Sequence, residues 1–470
     1  MAGENQFQKK QLIGMLSAVI IYLIFHFVLP VPEGLERPAL CAFGILLACI
    51  ALWVTEALPL FVTVIIVMVM LPIGGILPVG QFSSTFMTPV IFFVFVAYGI
   101  SAAFAATPIP YRMINFFLNW SGSNSKKVIY AFVFCCAAMS AIISNIAATA
   151  LLMGLALSLM KANGNPKPGT TNLGRALLIG IPGAAQIGGM ATPVGNSLNV
   201  LAMTMIEQGT GIRVTFLDWC ILGIPFAIIA AIFLGWWLSF LFKPEPITEE
   251  AIAEVKKQVS GFGKLQPQEK KVIIWLLVTF AFWLSSTWFP ALNIFIVGMV
   301  SLAVAFLPGV NLLNGKKLMD SISWDVIMMI GGIQALAMGI VSTGGATWLV
   351  NLTFAGADAW PMLVVLLILA AITAFLHIII PTGPPVVALT VPPFLAIAAM
   401  TGVDPATLCL IVGTFAGIEL VFPLDSIPLI TYGEGYYSMA DMAKYGVVPT
   451  AVLCLMCATI FPFLAGLIGF

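Results

Sequence analysis

Small polar side chains interrupt two apolar stretches in the first half of the chain. One interruption contains Ser140, Ser144 and Asn145, and the other runs from Thr192 to Gly195 with the sequence TPVG. Hydroxyl, amide and carbonyl oxygens suit a hard cation, whereas N–H groups at helix ends suit an anion. These residue types therefore predict that ions are bound where helices break. The alternative is that Ser and Asn only pack helices against each other in lipid.

Two similar interruptions lie in the second half. Thr382, Gly383 and Pro384 interrupt one apolar stretch, and Asp425 and Ser426 interrupt another. No Lys or Arg lies well inside any predicted span, so an anion there would depend on helix N-termini, backbone N–H groups and small polar side chains. A carboxylate at membrane depth is a candidate functional group. We therefore expect Asp425 to be protonated or to bind a cation in the loaded state, its alternative role being a helix N-cap.

Other ionisable groups lie near these interruptions. Glu419 precedes Asp425 by six residues, and His377 precedes the Thr382 interruption by five. Glu419 either acts with Asp425 in coupling transport to ions or caps its neighbours, and His377 either senses protons or packs. Glu56 and Asp325, at the edges of predicted spans, are expected to make structural hydrogen bonds.

The composition defines the class of protein that holds these residues. The 470 residues include 19 basic and 19 acidic ones, so 8% are charged and 61% are hydrophobic, against about 25% charged in a soluble domain. Too few charges remain to cover a soluble surface, and a net charge of zero gives no attraction to nucleic acid. The chain shows no nucleophile–base pair, metal-ligand cluster or ATP-binding loop. We therefore predict an all-α polytopic membrane protein that is not an enzyme.

A spanning helix needs about 20 apolar residues. Apolar stretches of this length predict about 11 transmembrane helices plus two re-entrant hairpins, with broken helices at the midplane. The spans lie near residues 12–29, 39–57, 60–77, 88–106, 176–205, 219–242, 272–289, 291–308, 322–342, 405–431 and 446–470, the hairpins near 128–160 and 362–400, and the broken helices are 176–205 and 405–431.

The chain divides into two repeats. Residues 1–242 form the first, 243–271 a hydrophilic cytoplasmic linker with a surface helix at 249–259, and 272–470 the second. Each repeat contains one hairpin followed by one broken helix. Interrupted helices at matching places in two halves of inverted topology indicate the midplane binding site of a secondary transporter.

The inverted arrangement follows from charge. With the N-terminus in the cytoplasm, all Lys and Arg residues except Arg37 and Arg213 fall on the cytoplasmic side, as the positive-inside rule requires. Ser144 and Thr382, and Thr192 and Ser426, are separated by nearly the same number of residues. We therefore treat these as equivalent positions in the two repeats.

At these residues the chain resembles the divalent-anion:sodium symporter family of the ion transporter superfamily. That family has Ser-Asn-Thr at each hairpin tip and a Thr-Pro-x-Gly-x-x-x-Asn-type break in the following helix. Here Ser144-Asn145-Ile146 and TPVG with Asn199 take these places. The segments LWVTEALPLFVT and SWDVIMMIGGI also resemble family signatures, and the resemblance covers residues from about 40 to about 460.

The resemblance implies a set of site residues. Na⁺ would be held by Ser140, Ser144, Asn145 and carbonyl oxygen near Gly195. Substrate would be held by Ser144, Asn145, Ile146, Thr192, Pro193, Thr382, Gly383, Pro384 and Ser426. The second repeat departs from the pattern because both of its asparagines are absent, and the first tip has Ile146 where the family has Thr.

The resemblance also implies a function. We expect a homodimer in membrane lipid, in the cytoplasmic membrane of a prokaryote, that carries C4 or C5 dicarboxylates by alternating access, either in symport with Na⁺ or by exchange. The diverged second repeat leaves a monocarboxylate or sulfate open as substrate. A cation/proton antiporter of the same superfamily, with Asp425 and Glu419 as carriers, is the other alternative.

Overall fold

The computed structural model describes residues 2–55, 57–289, 291–354 and 356–470, with side chains from residue 9 onward. Every regular element in these ranges is a helix, which confirms the all-α prediction. Within them, nine helices are long and apolar enough to cross a membrane, and three shorter apolar helices accompany them. The chain is therefore a multi-pass membrane protein. Glu56 lies outside the described residues.

The first half of the chain forms eleven helices, counted over the described ranges. They are α1 (Ala2–Leu23), extended by a π-helical turn at Ile24–Val28, α2 (Arg37–Thr55), α3 (Leu60–Ile73), α4 (Val79–Phe86), α5 (Pro89–Ala105), α6 (Ile109–Ser121), α7 (Ser125–Ser140), α8 (Asn145–Ala162), α9 (Asn172–Gly189), α10 (Ser197–Thr210) and α11 (Phe216–Phe242).

The second half begins with the linker helix and is also built of helices. Its helices, over the same described ranges, are α12 (Glu249–Val259), α13 (Pro267–Ser285), α14 (Ile294–Ala305), α15 (Gly315–Ser321), α16 (Trp324–Ser342), α17 (Gly345–Thr353), a 3₁₀ turn at Ala357–Ala359, α18 (Met362–Ile379), α19 (Gly383–Thr401), α20 (Pro405–Gly417), α21 (Ser426–Tyr432) and α22 (Met439–Ile468).

The predicted interruptions are real helix boundaries. The first hairpin is α7 and α8, separated at residues 141–144, and the second is α18 and α19, separated at 380–382. The first broken helix is α9 and α10, which residues 190–196 separate. The second is α20 and α21, which residues 418–425 separate. The short helices α4, α6, α15 and α17 were not predicted, because none has the length of a span.

Polar N-cap residues fix where the helices restart. Ser144 Oγ accepts a hydrogen bond from Ala147 N at 3.2 Å, and Asn196 Oδ1 accepts one from Leu198 N at 3.1 Å. An N-cap side chain satisfies one of the N–H groups that a helix start leaves without a partner. The same residues that break the apolar pattern therefore begin α8 and α10.

The packing contacts of helices in the first half recur in the second half between helices whose numbers differ by eleven. In the first half α5 packs against α14 and α15, and in the second its counterpart α16 packs against α3 and α4. Likewise α10 packs against α19 and α20, while α21 packs against α8 and α9. Two intertwined repeats would exchange their neighbours in this way. The division at the linker, 243–271, stays a prediction.

Two carboxylates at the ends of the linker hold it to the helices. Glu245 accepts hydrogen bonds from the backbone N–H groups of Asn172 and Leu173 at the start of α9, both at 2.7 Å. Glu269 is buried and accepts from Nε and Nη2 of Arg112 on α6, at 2.6 and 3.0 Å. The linker thus joins α6 and α9 of the first half to α13 of the second.

Candidate functional site

A cavity of about 350 Å³ lies where the helix interruptions of both halves meet. Four long helices, α8, α10, α16 and α19, begin at this cavity, and the first residues of the short α21 also line it. Ser144 from the first half and Thr382 from the second both line it. The four interruptions, far apart in sequence, therefore form one site.

The electrostatic character of the cavity comes from the backbone. Among the described residues that line it there is no Lys, Arg or His, and the acidic ones are Asp325 and Asp425. The N-terminus of a helix carries about half a positive charge and N–H groups without helical acceptors. In α8 the N–H groups of Asn145 and Ile146 are of this kind, because they lie in the first turn and have no carbonyl acceptor within the helix. The site can bind an anion without a basic side chain.

Asn145 joins the first hairpin to the first broken helix. It is buried, and its side-chain amide lies against the hydroxyl of Ser140. With the amide nitrogen turned inward, it also donates to the carbonyl oxygens of Ala185 and Gly195, each at 3.2 Å. With the amide oxygen turned inward, this oxygen lies beside the Ser140 hydroxyl and the carbonyl oxygens of Ala185 and Gly195, which are ligands of the type a hard cation requires. The residues present therefore fit a bound Na⁺.

This junction requires a close approach of the Asn145 side chain to the backbone of α9. A Cβ atom at Gly189, the last residue of α9, would lie 2.5 Å from Oδ1 of Asn145. Asn199 donates to the carbonyl oxygens of Gly189 at 2.8 Å and Thr192 at 2.9 Å. Thr192 in turn donates from its hydroxyl to Ala141 O in the hairpin interruption, at 2.7 Å. Hairpin and broken helix are thus locked together at their interruptions.

The second interruption carries carboxyl groups. Gln186 of α9 lies between them: its Nε2 donates to Oδ2 of Asp425, and its Oε1 accepts from the backbone N–H of Glu419, both at 3.3 Å. Asp425 also accepts from Ser426 Oγ at 2.8 Å and is the N-cap residue of α21 by position, although its side chain makes no capping hydrogen bond. Nδ1 of the buried His377 lies 2.7 Å from Phe415 O.

Most of the predicted site residues line the cavity. Those that do are Ser144, Asn145, Ile146, Gly195, Thr382, Gly383, Pro384, Asp425 and Ser426. Ser140, Glu419 and His377 lie behind this wall, and all three are buried.

Thr192 and Pro193, predicted to bind substrate, do not line the cavity. The reason is that the Thr192 hydroxyl is turned to the hairpin backbone. The equivalence of Thr192 with Ser426 is also wrong by position. Ser426 is the first residue of α21, as Ser197 is of α10, whereas Thr192 lies within its interruption.

The sequence interpretation missed several lining residues. Tyr98 from α5 and Ser323 before α16 line the cavity, and so does Asp325, which was expected to make only a structural hydrogen bond. Asn196 and Ser197 were also missed. The signal for these two was present, since Asn followed by Ser before an apolar run is typical of a helix start.

Comparison with known proteins identifies the family. A sequence model described as the sodium:sulfate symporter transmembrane region matches residues 9–465. The chain belongs to this family. The predicted resemblance to the divalent-anion:sodium symporters is thereby confirmed. The sodium:sulfate symporter family consists of membrane transporters, so this chain is a transporter.

Named relatives of this symporter family member cover nearly its whole length. It is 24% identical over 460 residues to the sodium-dependent dicarboxylate transporter SdcS of Staphylococcus saprophyticus, covering 93% of this chain and 88% of the relative. It is 23% identical over 495 residues to SdcS of Staphylococcus aureus strain USA300, covering 99% and 94%. Among solved structures, the YdaH transporter of Alcanivorax borkumensis is 12% identical with a TM-score of 0.49, covering 81% of this chain and 85% of that one.

Proposed function

We propose that this symporter family member carries C4 or C5 dicarboxylates such as succinate, malate or 2-oxoglutarate across the cell membrane. Transport is coupled to Na⁺ or proceeds by exchange, with alternating access. The relatives named sodium-dependent dicarboxylate transporter support the substrate class and the ion. The chain acts as a homodimer in the cytoplasmic membrane, with its N-terminus in the cytoplasm.

One observation carries the proposal: the N-termini of α8, α10 and α19 converge on a single cavity whose described lining includes no basic residue. A dianion needs positive potential at both ends, and helices from both halves supply it from opposite tips. In this proposal Ser144 and Thr382, the N-cap residues of α8 and α19, contact one carboxylate each. Separate tips match an elongated substrate with two charged ends.

Na⁺ is proposed to bind behind the first tip. Ser140, Ser144, Asn145 and the carbonyl of Gly195 would hold it, and the ion would supply a positive charge next to the substrate carboxylate. Because Asn145 touches both α7–α8 and α9–α10, a bound ion stabilises their junction. Na⁺ binding would thereby fix the position of the N–H groups at the start of α8 that bind the anion. Binding of the cation and binding of the anion are coupled in this way.

A smaller anion such as sulfate or a monocarboxylate is the second candidate. In α19, Pro384 and Pro385 follow Gly383 and have no N–H, so the second tip offers fewer donors than the first. Asp425 also lies at this side of the cavity. The matching family model is itself described as a sodium:sulfate symporter.

Uptake by proteoliposomes tests the substrate. Purified full-length protein should accumulate radiolabelled succinate when an inward Na⁺ gradient is imposed, and unlabelled malate outside should compete. For an exchanger, liposomes loaded with succinate should show counterflow. Uptake of sulfate or lactate that succinate does not inhibit would contradict the dicarboxylate proposal.

The same liposomes test the cation/proton antiporter alternative. Asp425 and Glu419 would then exchange Na⁺ for protons without any organic anion. A trapped pH-sensitive dye would report this exchange as a pH change on addition of Na⁺ alone. The proposal expects no such change unless a dicarboxylate is present.

A further inference from the structure

The second helix interruption holds a carboxyl group that anion binding in the cavity does not use. Glu419 follows the end of α20 by two residues and is 2% exposed. Its Oε1 accepts hydrogen bonds from the backbone N–H groups of Val421 at 2.7 Å and Phe422 at 3.0 Å. Its Oε2 is buried and has no hydrogen-bond partner among the described residues. Oε1 is thus held by two hydrogen bonds, whereas Oε2 accepts none from the described residues.

No basic side chain neutralises this carboxyl group. In the described part of the chain, the ion pairs formed by Arg are those of Arg112 with Glu269 and Arg175 with Asp441. An unpaired charge buried in a medium of low dielectric constant is strongly unfavourable. A proton on Oε2 removes the charge and leaves both hydrogen bonds to Oε1 intact. The neutral acid is the form that this packing fits.

The other titratable groups around the interruption are few. Asp425 lies in the same segment, His377 faces it from α18 with Nε2 unpartnered, and Tyr445 from α22 has an unpartnered hydroxyl, judged over the described residues. From α9 the neutral Gln186 contacts the interruption, and Thr382, the N-cap residue of α19, is also neutral. Asp425 is the member of this group that lines the cavity.

Asp425 connects Glu419 to the cavity. It is 9% exposed, and Gln186 touches both residues, donating to the Asp425 carboxylate and accepting from the Glu419 backbone N–H. One side chain, Gln186, therefore separates the cavity-lining Asp425 from the main chain of Glu419. In the proposed cycle the proton is taken from cavity water on one side of the membrane and returns to it when the cavity faces the other side.

The second half has no room for a metal ligand equivalent to Asn145. Gly383 follows the N-cap Thr382 of α19 as Asn145 follows the N-cap Ser144 of α8. A Cβ atom at Gly383 would overlap the carbonyl oxygen of Ala416 and the side chain of Leu198. A metal ion needs several converging oxygens, whereas a proton needs only one. The cation suited to this half is a proton.

We propose that Glu419 is a proton-binding site, so that a proton bound in the second half accompanies the Na⁺ bound in the first. This inference rests on the proposed transport of a dicarboxylate. The proton adds to Oε2 of the Glu419 carboxylate and gives a neutral carboxylic acid. It reduces repulsion between this side of the cavity and the second charge of the substrate, and it returns to water when the substrate is released.

The pH dependence of substrate binding tests the inference. Succinate affinity of the full-length protein is measured by isothermal titration calorimetry at saturating Na⁺, over a pH range in which succinate is a dianion in solution. If binding requires a proton on Glu419, affinity falls with rising pH, approaching tenfold per pH unit above the range in which the site titrates. Glu419→Gln keeps the acceptor for Val421 and Phe422 and mimics the neutral acid, so its affinity should not change with pH.

Control variants separate the possible results. Glu250→Gln, an exposed carboxylate on α12, should keep the wild-type slope. Glu419→Asp, which keeps a titratable group, should keep a pH-dependent affinity even if its absolute affinity drops, which guards against a folding defect in Glu419→Gln.

Three results would overturn the inference. A flat wild-type profile with normal Na⁺-dependent binding would leave the proposed function standing without a proton site. A slope that survives in Glu419→Gln and vanishes in Asp425→Asn would assign the proton to Asp425. Failure of the wild type to bind any dicarboxylate would reject the proposed function and the proton site with it.

Discussion

At the scale of single residues, Asn145 has the largest number of roles. It lines the cavity, contacts the Ser140 hydroxyl and lies beside the carbonyl of Gly195. Its backbone N–H belongs to the N-terminus of α8, so this residue would face the proposed anion with its main chain and the proposed cation with its side chain. Substitution of this side chain should therefore affect the ion before it affects the fold of the helix.

Asn145→Ala is expected to raise the Na⁺ concentration for half-maximal succinate binding about tenfold, which corresponds to about 1.4 kcal/mol. The physical reason is the loss of one oxygen ligand in a buried site. A thermal-shift titration of Na⁺ with succinate present measures the change. Asn351→Ala, at an exposed position on α17, is the matched control. An unchanged Na⁺ dependence in Asn145→Ala would remove it from the ion site.

Asp425→Asn is expected to tighten succinate binding at neutral pH by about tenfold. Like charges a few ångströms apart repel even at an effective dielectric constant near 20, and the amide keeps an acceptor for Ser426 Oγ. Calorimetric titration with succinate at fixed Na⁺ gives the affinity. Weaker binding in this variant would show instead that Asp425 helps to hold the substrate through a bound cation.

At the scale of elements, α6 and the linker join the two halves of the chain. Arg112 on α6 donates to both carboxylate oxygens of Glu269, and its Nη1 donates to Gly263 O at 2.9 Å. Hydrogen bonds from Arg112 lower the pKa of Glu269, although burial of the carboxyl opposes this. A planar guanidinium that binds two oxygens at once fixes both the distance and the orientation of the helices it joins.

Arg112→Gln is expected to lower the melting temperature at neutral pH by several degrees, because Glu269 is left as a buried carboxylate without its partner. A pKa lowered by folding means that the pair stabilises the fold above the usual range of Glu and that this stabilisation disappears as pH falls through the lowered value. The difference from wild type should therefore shrink in acid.

Thermal unfolding of the detergent-solubilised protein at a series of pH values measures both effects of Arg112→Gln. Lys257→Gln, which removes an exposed positive charge from α12, serves as the control for a general charge effect. A difference that stays constant down to strongly acidic pH would mean that the ion pair is not the cause.

At the scale of the whole molecule, the two halves are interleaved and the cavity belongs to both. The swapped packing of α5 with α14 and of α16 with α3 means that neither half is a separate domain in space. The cavity wall likewise takes α8 and α10 from one half and α19 and α21 from the other. If the halves have opposite orientations, a symmetric exchange between their two conformations moves the cavity from one side of the membrane to the other.

Cysteine labelling tests the proposed orientation. Ser260→Cys in the linker should react with a membrane-impermeant maleimide only from the cytoplasmic side, and Glu36→Cys, before α2, only from outside. Both positions are exposed, and all eight native cysteines are buried, which keeps background labelling low. Inverted and right-side-out vesicles give the two sides. Labelling of both positions from the same side would contradict the topology deduced from the basic residues.

The proposed homodimer is also a property of the whole molecule. Light scattering in detergent is expected to give a protein mass of two chains. A mass of one chain that persists in lipid nanodiscs would contradict the dimer. Transport by such a monomer would show in addition that one chain contains a complete site.

Much of this protein follows from its sequence. The low charge content requires a membrane, because too few polar groups exist to cover a soluble surface. The helix interruptions at Ser144, Thr382 and Asp425 could be located in the sequence. Small polar residues, Gly and Pro are unfavourable inside a helix, and a group of them within an apolar stretch is visible in the local sequence. The hairpins and broken helices were therefore predictable, since the signals that define them are a few residues apart.

What lies around the interruptions was decided by the tertiary structure. Asn196 and Tyr98 became lining residues only when α10 and α5 packed against the second half, and Thr192 was removed from the cavity by its hydrogen bond to Ala141. Glu419 could be identified in the sequence, but the groups that surround it could not. They come from residues far away in the sequence, such as Gln186, which is more than two hundred residues from Glu419. Local composition fixes where a helix ends, whereas the groups that meet at its end are set by long-range packing.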